Sequence, residues 1–313
     1  MRILIASTAF PECAEVLRAR LPSDEVVVDG GVADGTFDVI VPLMRRIDAA
    51  MMDHHRPRLI QQYGVGLEGV DRHAAAERGI PVNNLSAADT GNADGVGEVA
   101  VLHLLALTRR YHAGLDSLRA RRLGEPTGTA LTGARIVVLG LGAVGRAVAT
   151  RLQGFGTELI GVGTRAADQA PELSEQLGLT AYVPVSQLTQ ACEGALALIV
   201  CCVLNEATRG LVGREVLDTL GEGGPGYVVN VARGPVLDYG AVHEALHEGR
   251  ITGLGLDVYW DEPVDPDDPI LAHNVVATPH IGGVTTLAYR AMGDAVVANV
   301  ERLRRGEPVL TAD

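Results

Sequence analysis

The sequence has 313 residues, 47% hydrophobic and 21% charged, which is typical of a globular protein long enough for about two domains. The formal net charge of −13 argues against nucleic acid and anionic membrane surfaces as partners. The sequence has no run of about 18 apolar residues, so no membrane span is predicted. It has no lysine, which excludes a P-loop lysine and a Schiff-base lysine.

Short apolar runs alternate with helical patterns in residues 1–90. The first residues, MRILIASTAF, favour a strand over a signal peptide. Predicted strands are RILIAS, EVVVDG, FDVIVP, RLIQQYGVG and IPVNN, and predicted helices are ECAEVLRARL and VDRHAAAERG. This alternation predicts a small α/β layer.

Residues 92–110 predict one long helix that ends on two arginines. Its middle, residues 99–107, is apolar nearly all round, so the helix needs cover on several sides. Burial within one chain and contact with a second copy explain this pattern equally well.

From residue 134 onwards, strands and helical segments alternate again, and a long helical pattern closes the sequence. The predicted strands are ARIVVLG, ELIGVG, AYVPV, LALIVCCVL, GYVVNV, ITGLGLDV and NVVATP. Strands separated by helices predict a doubly wound parallel sheet of the Rossmann type. We therefore expect a dinucleotide-binding domain over residues 91–283.

Three glycines with GxGxxG spacing lie directly after a predicted strand and open a helix. Gly140 permits the tight turn, Gly142 lets the backbone approach a pyrophosphate, and Gly145 lets the helix pack close to the strand. The helix N-terminus offers N–H groups to the phosphates. The alternative is a glycine-rich turn without a ligand, but the flanking strand and helix favour a dinucleotide site.

Three polar side chains follow later strands of the same predicted sheet. Arg233 follows GYVVNV, Glu262 follows ITGLGLDV, and His280 follows NVVATP. Singly, each has a structural explanation, such as an ion pair or a loop charge. Together, at the edge where doubly wound sheets bind ligands, they favour a functional site over three separate structural roles.

The four cysteines suggest neither a disulfide framework nor a metal site. They form no CxxC pair and no Cys/His metal spacing. We therefore expect no bound metal and a cytoplasmic location, where thiols stay reduced.

The chain resembles the D-isomer-specific 2-hydroxyacid dehydrogenase family over nearly its whole length. The matching stretches are QQYGVGLEGVDRHAAAERGIPVNN, GLGAVGRAVATRLQGFG, NVARGPVLD, GLDVYWDEP and TPHIGG. The resemblance implies a smaller, flavodoxin-like α/β substrate domain made of residues 1–90 and a C-terminal helix at 284–313. The coenzyme domain, residues 91–283, would be inserted between these parts, and two copies would form a homodimer through it.

The resemblance also implies roles for the matching residues. Arg233 would bind the substrate carboxylate, and His280 would exchange a proton with the substrate oxygen. Glu262 would favour the protonated ring of His280. The implied substrate loop consists of Tyr63, Gly64, Val65 and Gly66. The predicted cofactor-binding residues are Gly140, Leu141, Gly142, Ala143, Val144, Gly145, Gly163, Thr164, Arg165, Cys202, Val203, Thr208, Val231, Ala232, Asp257, His280, Gly282 and Gly283, of which Asp257 would contact the nicotinamide amide.

The strand ELIGVG predicts which cofactor is preferred. NAD-specific sites place an acid about 20 residues after the glycines, where it binds the ribose hydroxyls. Here the strand ends at Gly163 and is followed by Thr164 and Arg165, whose donors suit a 2′-phosphate. We therefore expect NADP(H) to be favoured over NAD(H). The alternative is that Arg165 lies in solvent and either cofactor is used.

These patterns predict an oxidoreductase that transfers a hydride between NADPH and a small D-2-hydroxy or 2-keto acid. The keto acid would resemble glyoxylate or hydroxypyruvate, or carry a longer side chain. One alternative is a dinucleotide-sensing regulatory protein of the same fold. Another is a dehydrogenase of formate or phosphite. Formate enzymes lack the Arg–Glu–His set, and phosphite enzymes carry a lysine where this chain has Val65. Arg45 and Arg46 either meet a second anionic group or lie in solvent.

Overall fold

Two units make up the chain. The computed structural model describes residues 1–31, 33–165, 170–221 and 223–310. The first unit comprises Met1–Asn92 with Val284–Asp313, and the second comprises Ala93–Gly283.

The first unit contains a five-stranded parallel sheet in the order β2-β1-β3-β4-β5. Its strands are β1 (Arg2–Ile5), β2 (Glu25–Val28), β3 (Val39–Val41), β4 (Leu59–Gln61) and β5 (Val82–Asn83). Its helices are α1 (Glu12–Arg20), α2 (Ala49–His55), α3 (Arg72–Glu77) and α11 (Thr286–Arg304). This strand order is that of flavodoxin-like folds, which confirms the predicted fold class of this part of the chain.

Apolar runs and helix caps explain these elements. The apolar residues of β1, β3 and β4 are buried on both faces, as apolar runs require in a parallel sheet, and β4 ends on the buried Gln61. The side chains of Asp48, Asp71 and Thr285 accept backbone N–H groups at the starts of α2, α3 and α11. Helix α2 was not among the predicted elements.

Helix α11 shares its core with the start of the chain. Its buried residues Met292 and Val296 belong to the same cluster as Ile3 of β1 and Leu17 of α1. Residues nearly 300 positions apart in sequence therefore form one hydrophobic core.

A buried amide network holds the same helix to the sheet. The Gln61 Oε1 atom accepts from Asn83 Nδ2 at 3.1 Å and from Asn299 Nδ2 at 2.8 Å. Asn299 also bonds the backbone of Leu310, accepting from its N–H at 2.7 Å and donating to its carbonyl at 3.0 Å. All three amide side chains are buried. The network joins β4, β5, α11 and the segment that follows α11.

The second unit contains a seven-stranded parallel sheet in the order β12-β11-β10-β9-β6-β7-β8. Its strands are β6 (Arg135–Leu139), β7 (Glu158–Gly163), β8 (Ala181–Pro184), β9 (Ala197–Val200), β10 (Tyr227–Asn230), β11 (Gly253–Leu256) and β12 (Val275–Ala277). Its helices are α4 (Asn92–Thr108), α5 (Tyr111–Arg119), α6 (Ala143–Leu152), α7 (Ala170–Leu177), α8 (Leu188–Cys192), α9 (Arg214–Leu217) and α10 (Tyr239–His247).

The order of this sheet creates a ligand-binding edge. Strand β6 lies in the interior, β7 and β8 extend to one side, and β9 to β12 extend to the other. The strand order reverses between β6 and β9, and open α/β sheets bind ligands at the carboxyl end of such a switch point. The predicted doubly wound Rossmann sheet is confirmed.

The long helix predicted over residues 92–110 is α4, which ends at Thr108 and is followed by α5. Its apolar middle contains His103, which is fully buried.

In the part of the chain that the structure describes, no helix is both long and apolar enough to cross a membrane.

Candidate active site

The carboxyl ends of six parallel strands carry the predicted site residues of the second unit. Because these strands run in one direction, their carboxyl ends lie at one edge of the sheet. The residues placed there are Gly140 to Gly145 after β6, Gly163 to Arg165 at and after the end of β7, Cys202 to Thr208 after β9, Val231 to Arg233 after β10, Asp257 and Glu262 after β11, and His280 to Gly283 after β12.

The glycine turn between β6 and α6 has the shape that the fingerprint predicts. Gly140 has a φ of +91°, and a Cβ there would lie 2.6 Å from the backbone of Cys202. A Cβ at Gly145 would lie 1.8 Å from the Gly140 carbonyl oxygen, so α6 packs directly on the turn. Only glycine tolerates both positions. Leu141 is buried, and Ala143 and Val144 begin α6.

This turn fits a dinucleotide. Gly142 is exposed, and a Cβ built on it would meet no described heavy atom within 4 Å. It stands at the N-cap of α6, where it has no side chain to bond the first N–H groups of the helix. The turn therefore leaves an approachable backbone and the positive end of a helix, which suit a pyrophosphate.

The end of β7 carries no carboxylate among its described residues. Gly163 is buried, while Thr164 and Arg165 are exposed. The Tyr182 hydroxyl from β8 accepts the Arg165 N–H at 2.7 Å. A Cβ at Gly163 would lie 2.8 Å from that hydroxyl oxygen. Asp168, the next acid along the chain, lies outside the described residues.

The loop after β9 is folded by its own hydroxyl and amide groups. The Thr208 hydroxyl donates to the Val203 carbonyl oxygen at 2.7 Å and accepts the Asn205 N–H at 2.8 Å. Cys202 is half-buried beside Gly140, and Val203 is exposed. The predicted strand LALIVCCVL therefore ends earlier than expected, at Val200, and its cysteines belong to the loop.

Arg233 lies three residues beyond β10, on a turn shaped by Asn230. The Asn230 side chain accepts the Ala232 N–H at 3.0 Å and donates to the Arg233 carbonyl oxygen at 2.9 Å. The Arg233 guanidinium donates to the Ala232 carbonyl oxygen at 2.7 Å. A Cβ at Gly234 would overlap the backbone of Tyr259 at 2.1 Å, so this turn presses against the loop after β11.

Glu262 and His280 form a pair at the same edge. The Glu262 Oε2 and His280 Nδ1 atoms are 2.7 Å apart, and Glu262 Oε1 accepts the Tyr259 N–H at 2.9 Å. Both side chains are part-buried, 17% and 27% exposed, so solvent can reach the pair. His280 has a φ of +55°, a left-handed conformation that is uncommon outside glycine.

Electrostatics keep Glu262 ionised. Burial alone would raise its pKa, but the hydrogen bond and charge of His280, the Tyr259 N–H and the charge of Arg233 together lower the pKa below its usual value. Arg233 thus contributes to the negative charge that Glu262 keeps beside the His280 ring.

Asp257 anchors the turn that carries His280. Its Oδ1 atom accepts the Thr278 hydroxyl at 2.6 Å and the Ile281 N–H at 2.9 Å, and Oδ2 accepts the Gly282 N–H at 2.8 Å. The carboxylate is buried. Its predicted contact with the nicotinamide amide stays a prediction, for which Oδ2 has an acceptor position left.

His103 was missed by the sequence analysis. Its Nε2 atom lies 3.0 Å from the Thr278 hydroxyl oxygen, which joins α4 to Asp257. A single histidine within an otherwise apolar helix face was the available signal, because buried histidines need a polar partner.

In the first unit, the predicted substrate loop follows β4. The Gln62 side chain binds it to the loop after β3: Oε1 accepts the Leu43 and Tyr63 N–H groups, and Nε2 donates to the Leu43 and Gly66 carbonyl oxygens, at 2.8–3.1 Å. Val65 is exposed, and the Asn84 side chain donates to its carbonyl oxygen at 2.7 Å. Gly64 has a φ of +157°.

The side chains next to this loop differ in exposure. Tyr63 is buried and its hydroxyl donates to the Tyr289 carbonyl oxygen at 2.5 Å, so it anchors the loop to α11. Met44 and Arg46 are exposed, whereas Arg45 is half-buried near Gly31.

Among the described residues, no cluster of three His, Cys, Asp or Glu side chains could hold a metal ion.

Comparisons with known proteins agree with this geometry. A family model described as D-isomer specific 2-hydroxyacid dehydrogenase, NAD binding domain, matches residues 101–282. The hydroxyphenylpyruvate reductase of Plectranthus scutellarioides is 32% identical over 84% of this chain and 81% of its own length. The glyoxylate/hydroxypyruvate reductase A of Arabidopsis thaliana is 33% identical over 81% of this chain and 77% of its own. The solved NADPH-dependent glyoxylate/hydroxypyruvate reductase of Sinorhizobium meliloti, in complex with NADP and malonate, superposes with a TM-score of 0.80 at 30% identity, covering 99% of this chain and 95% of that one.

Proposed function

The chain belongs to the D-isomer specific 2-hydroxyacid dehydrogenase family, and on this premise we propose that it reduces a small 2-keto acid to the D-2-hydroxy acid with NADPH. The observation that carries the proposal is the 2.7 Å Glu262–His280 pair, which lies at the sheet edge that also holds the glycine turn. An acid–base pair at the same sheet edge as a dinucleotide turn suits a carbonyl reduction.

Arg233 binds the carboxylate of the keto acid in this proposal. A guanidinium offers two parallel N–H groups to two carboxylate oxygens, which fixes both position and orientation. Asn230 shapes the turn that carries Arg233. This turn presses against the loop after β11, which carries Glu262, and the charge of Arg233 acts on Glu262.

His280 supplies the proton. Its Nδ1 atom is engaged by Glu262, so Nε2 is the atom that would donate to the substrate oxygen. The ionised Glu262 carboxylate faces Nδ1 and fixes the orientation of the ring. The nicotinamide, when bound, supplies the hydride that reduces the carbonyl carbon. In the reverse direction, His280 accepts the hydroxyl proton.

The end of β7 supports a preference for NADPH. The described residues Gly163, Thr164 and Arg165 place two donors, and no acid, where an acid would bind the ribose hydroxyls. Both side chains are exposed and accessible to a 2′-phosphate.

Four large apolar side chains support the homodimer that the resemblance implies. Leu102 of α4, Tyr111 and Leu118 of α5, and Leu123 beyond α5 are 54%, 57%, 71% and 95% exposed. They lie on elements that are consecutive in sequence, and exposed apolar surface of this kind favours a protein interface. We propose that a second copy of the chain covers it.

Steady-state turnover tests the enzyme. We expect reduction of glyoxylate, pyruvate, hydroxypyruvate or a longer 2-keto acid, with a lower KM for NADPH than for NADH. His280→Ala should remove most turnover and leave cofactor affinity nearly intact, because His280 transfers a proton and holds no phosphate. Arg165→Ala should erode the NADPH preference. If the wild-type protein turns over none of these acids but binds the dinucleotide, the regulatory alternative is favoured.

A further inference from the structure

We propose that His103 is a positioning residue for His280: His103, Thr278 and Asp257 form a directed hydrogen-bond chain that fixes the turn carrying the proton donor. The proposal rests on the reductase function proposed above. It assigns a task to a buried imidazole that lies on α4, outside the Arg233–Glu262–His280 set.

Four hydrogen bonds make up this series. The His103 Nε2 and Thr278 Oγ1 atoms are 3.0 Å apart, and Thr278 Oγ1 lies 2.6 Å from Asp257 Oδ1. From Asp257, further bonds run to the backbone N–H groups of Ile281 and Gly282. These two residues directly follow His280.

Donor and acceptor counting gives the chain its direction. Asp257 receives donors at both oxygens, so the single Thr278 hydroxyl proton is given to Asp257. The Thr278 oxygen must then accept from His103, which places the ring proton on Nε2. Burial lowers the pKa of His103 and outweighs the charge of Asp257, so the ring is neutral with a lone pair on Nδ1.

The turn at the end of this hydrogen-bond chain has an unusual backbone conformation. His280 adopts a φ of +55°, which a residue with a side chain keeps only when surrounding contacts impose it. Asp257 accepts the next two backbone N–H groups and so restrains the turn directly after His280. Movement of Asp257 would therefore move His280 relative to Glu262, which lies in the loop after β11.

Two glycines make room for the arrangement. A Cβ at Gly255 of β11 would lie 2.8 Å from the His103 Cβ, so α4 can bring the imidazole to the sheet only over a glycine. A Cβ at Gly282 would lie 2.8 Å from Asp257 Oδ2. Both close approaches bring the chain of bonds together.

A role as a simple core filler explains His103 less well. Its Nδ1 atom is buried and has no hydrogen-bond partner among the described residues. Such an atom costs stability, whereas leucine would fill the same apolar helix face without that cost. The bond that the opposite nitrogen makes to Thr278 supplies a reason to keep the imidazole.

The test compares His103→Leu with His103→Gln. Leucine keeps an apolar filler but removes the donor, and glutamine returns an N–H donor of similar reach. We expect His103→Leu to lower kcat about tenfold, because a small misplacement of an acid is costly. Its Tm should not fall, and His103→Gln should keep kcat within about twofold of the wild type. Thr278→Val should lower kcat like His103→Leu, and the double variant should show no additional loss, because both break one chain.

Hydrogen exchange provides a readout that does not depend on turnover. In His103→Leu, the Ile281 and Gly282 amides should exchange about tenfold faster, while the amides of Tyr227–Asn230 in β10 stay unchanged. Unchanged exchange at Ile281 and Gly282 would overturn the chain. Faster exchange with unaltered kcat, or equal losses in His103→Leu and His103→Gln, would overturn the positioning role. If the wild-type protein reduces no 2-keto acid, the proposed function fails, and the exchange comparison still decides whether the chain exists.

Discussion

At the scale of single residues, Arg233 is set apart by how firmly its backbone is held. Its carbonyl oxygen accepts from the buried Asn230 side chain, and the neighbouring Gly234 lies against the backbone of Tyr259. A guanidinium on such a rigid turn is suited to bind two oxygens of one carboxylate.

Arg233→Lys should therefore be a severe change. A lysine places a point charge there but cannot make two parallel N–H bonds, so kcat/KM for the keto acid should fall about 10- to 100-fold. The cofactor KM should stay near the wild-type value. Steady-state kinetics would measure both, with Arg214→Lys at an exposed arginine as the matched control. A kcat/KM near that of the wild type would rule out the carboxylate-binding role.

The Glu262–His280 pair leads to a prediction for the pH profile. The pKa of Glu262 is held below its usual value by His280, Tyr259 and Arg233 despite burial, so the carboxylate is ionised throughout the neutral range. The ionised carboxylate can therefore pair with the His280 ring across this range. In Glu262→Gln this charge is gone, so the reductive kcat/KM should be about tenfold lower at every pH across the neutral range.

The measurement is kcat/KM from pH 5 to 10 for the wild type and Glu262→Gln. Equal kcat/KM in the two proteins would show that Glu262 does not support His280. A difference that disappears towards pH 5 would contradict the lowered pKa of Glu262.

At the scale of elements, the packing of β8 on β7 decides how the cofactor preference can be changed. An aspartate at Gly163 would supply the missing ribose acceptor and repel a 2′-phosphate. However, its Cβ would lie 2.8 Å from the Tyr182 hydroxyl oxygen, which also holds the Arg165 N–H. Tyr182 therefore also affects which cofactor the end of β7 can accept.

We expect Gly163→Asp combined with Tyr182→Phe to reverse the preference from NADPH to NADH. Gly163→Asp alone should be less effective and less stable, because Tyr182 must move to admit the new side chain. Ratios of kcat/KM for the two cofactors would show this, with Tyr182→Phe alone as the control. If the double variant keeps the NADPH preference, the end of β7 does not select the cofactor.

At the scale of the whole molecule, the first unit is assembled from two distant parts of the chain. Helix α11 returns to it through a shared apolar core and the Gln61–Asn83–Asn299 network. Buried amides that satisfy one another fix a single arrangement of the elements that carry them.

Asn299→Ala should therefore lower the free energy of unfolding by about 1 to 3 kcal/mol, because it removes two buried bonds and a donor to Gln61. Thermal and urea unfolding would measure the change. Arg290→Ala, at an exposed position of the same helix, should stay within about 0.5 kcal/mol of the wild type. Equal losses in both variants would mean that the network adds nothing specific.

Local patterns alone determined much of this protein. The strands of both sheets, the glycine turn after β6 and the long helices follow from apolar runs, apolar periodicity and Gly spacing, which act within a few residues. The candidate catalytic residues were found for a related reason. Arg233, Glu262 and His280 each follow a predicted strand, and parallel strands bring their carboxyl ends to one edge.

Only the tertiary structure decided which side chains meet across the sequence. His103 and Thr278 are 175 residues apart, and Gln61 and Asn299 are 238 residues apart. Nothing in the apolar pattern around His103 names its partner, and the packing of Tyr182 on Gly163 depends on how β8 lies beside β7. Sequence periodicity reports whether a residue is buried, whereas the identity of its hydrogen-bond partner is set by how distant elements pack.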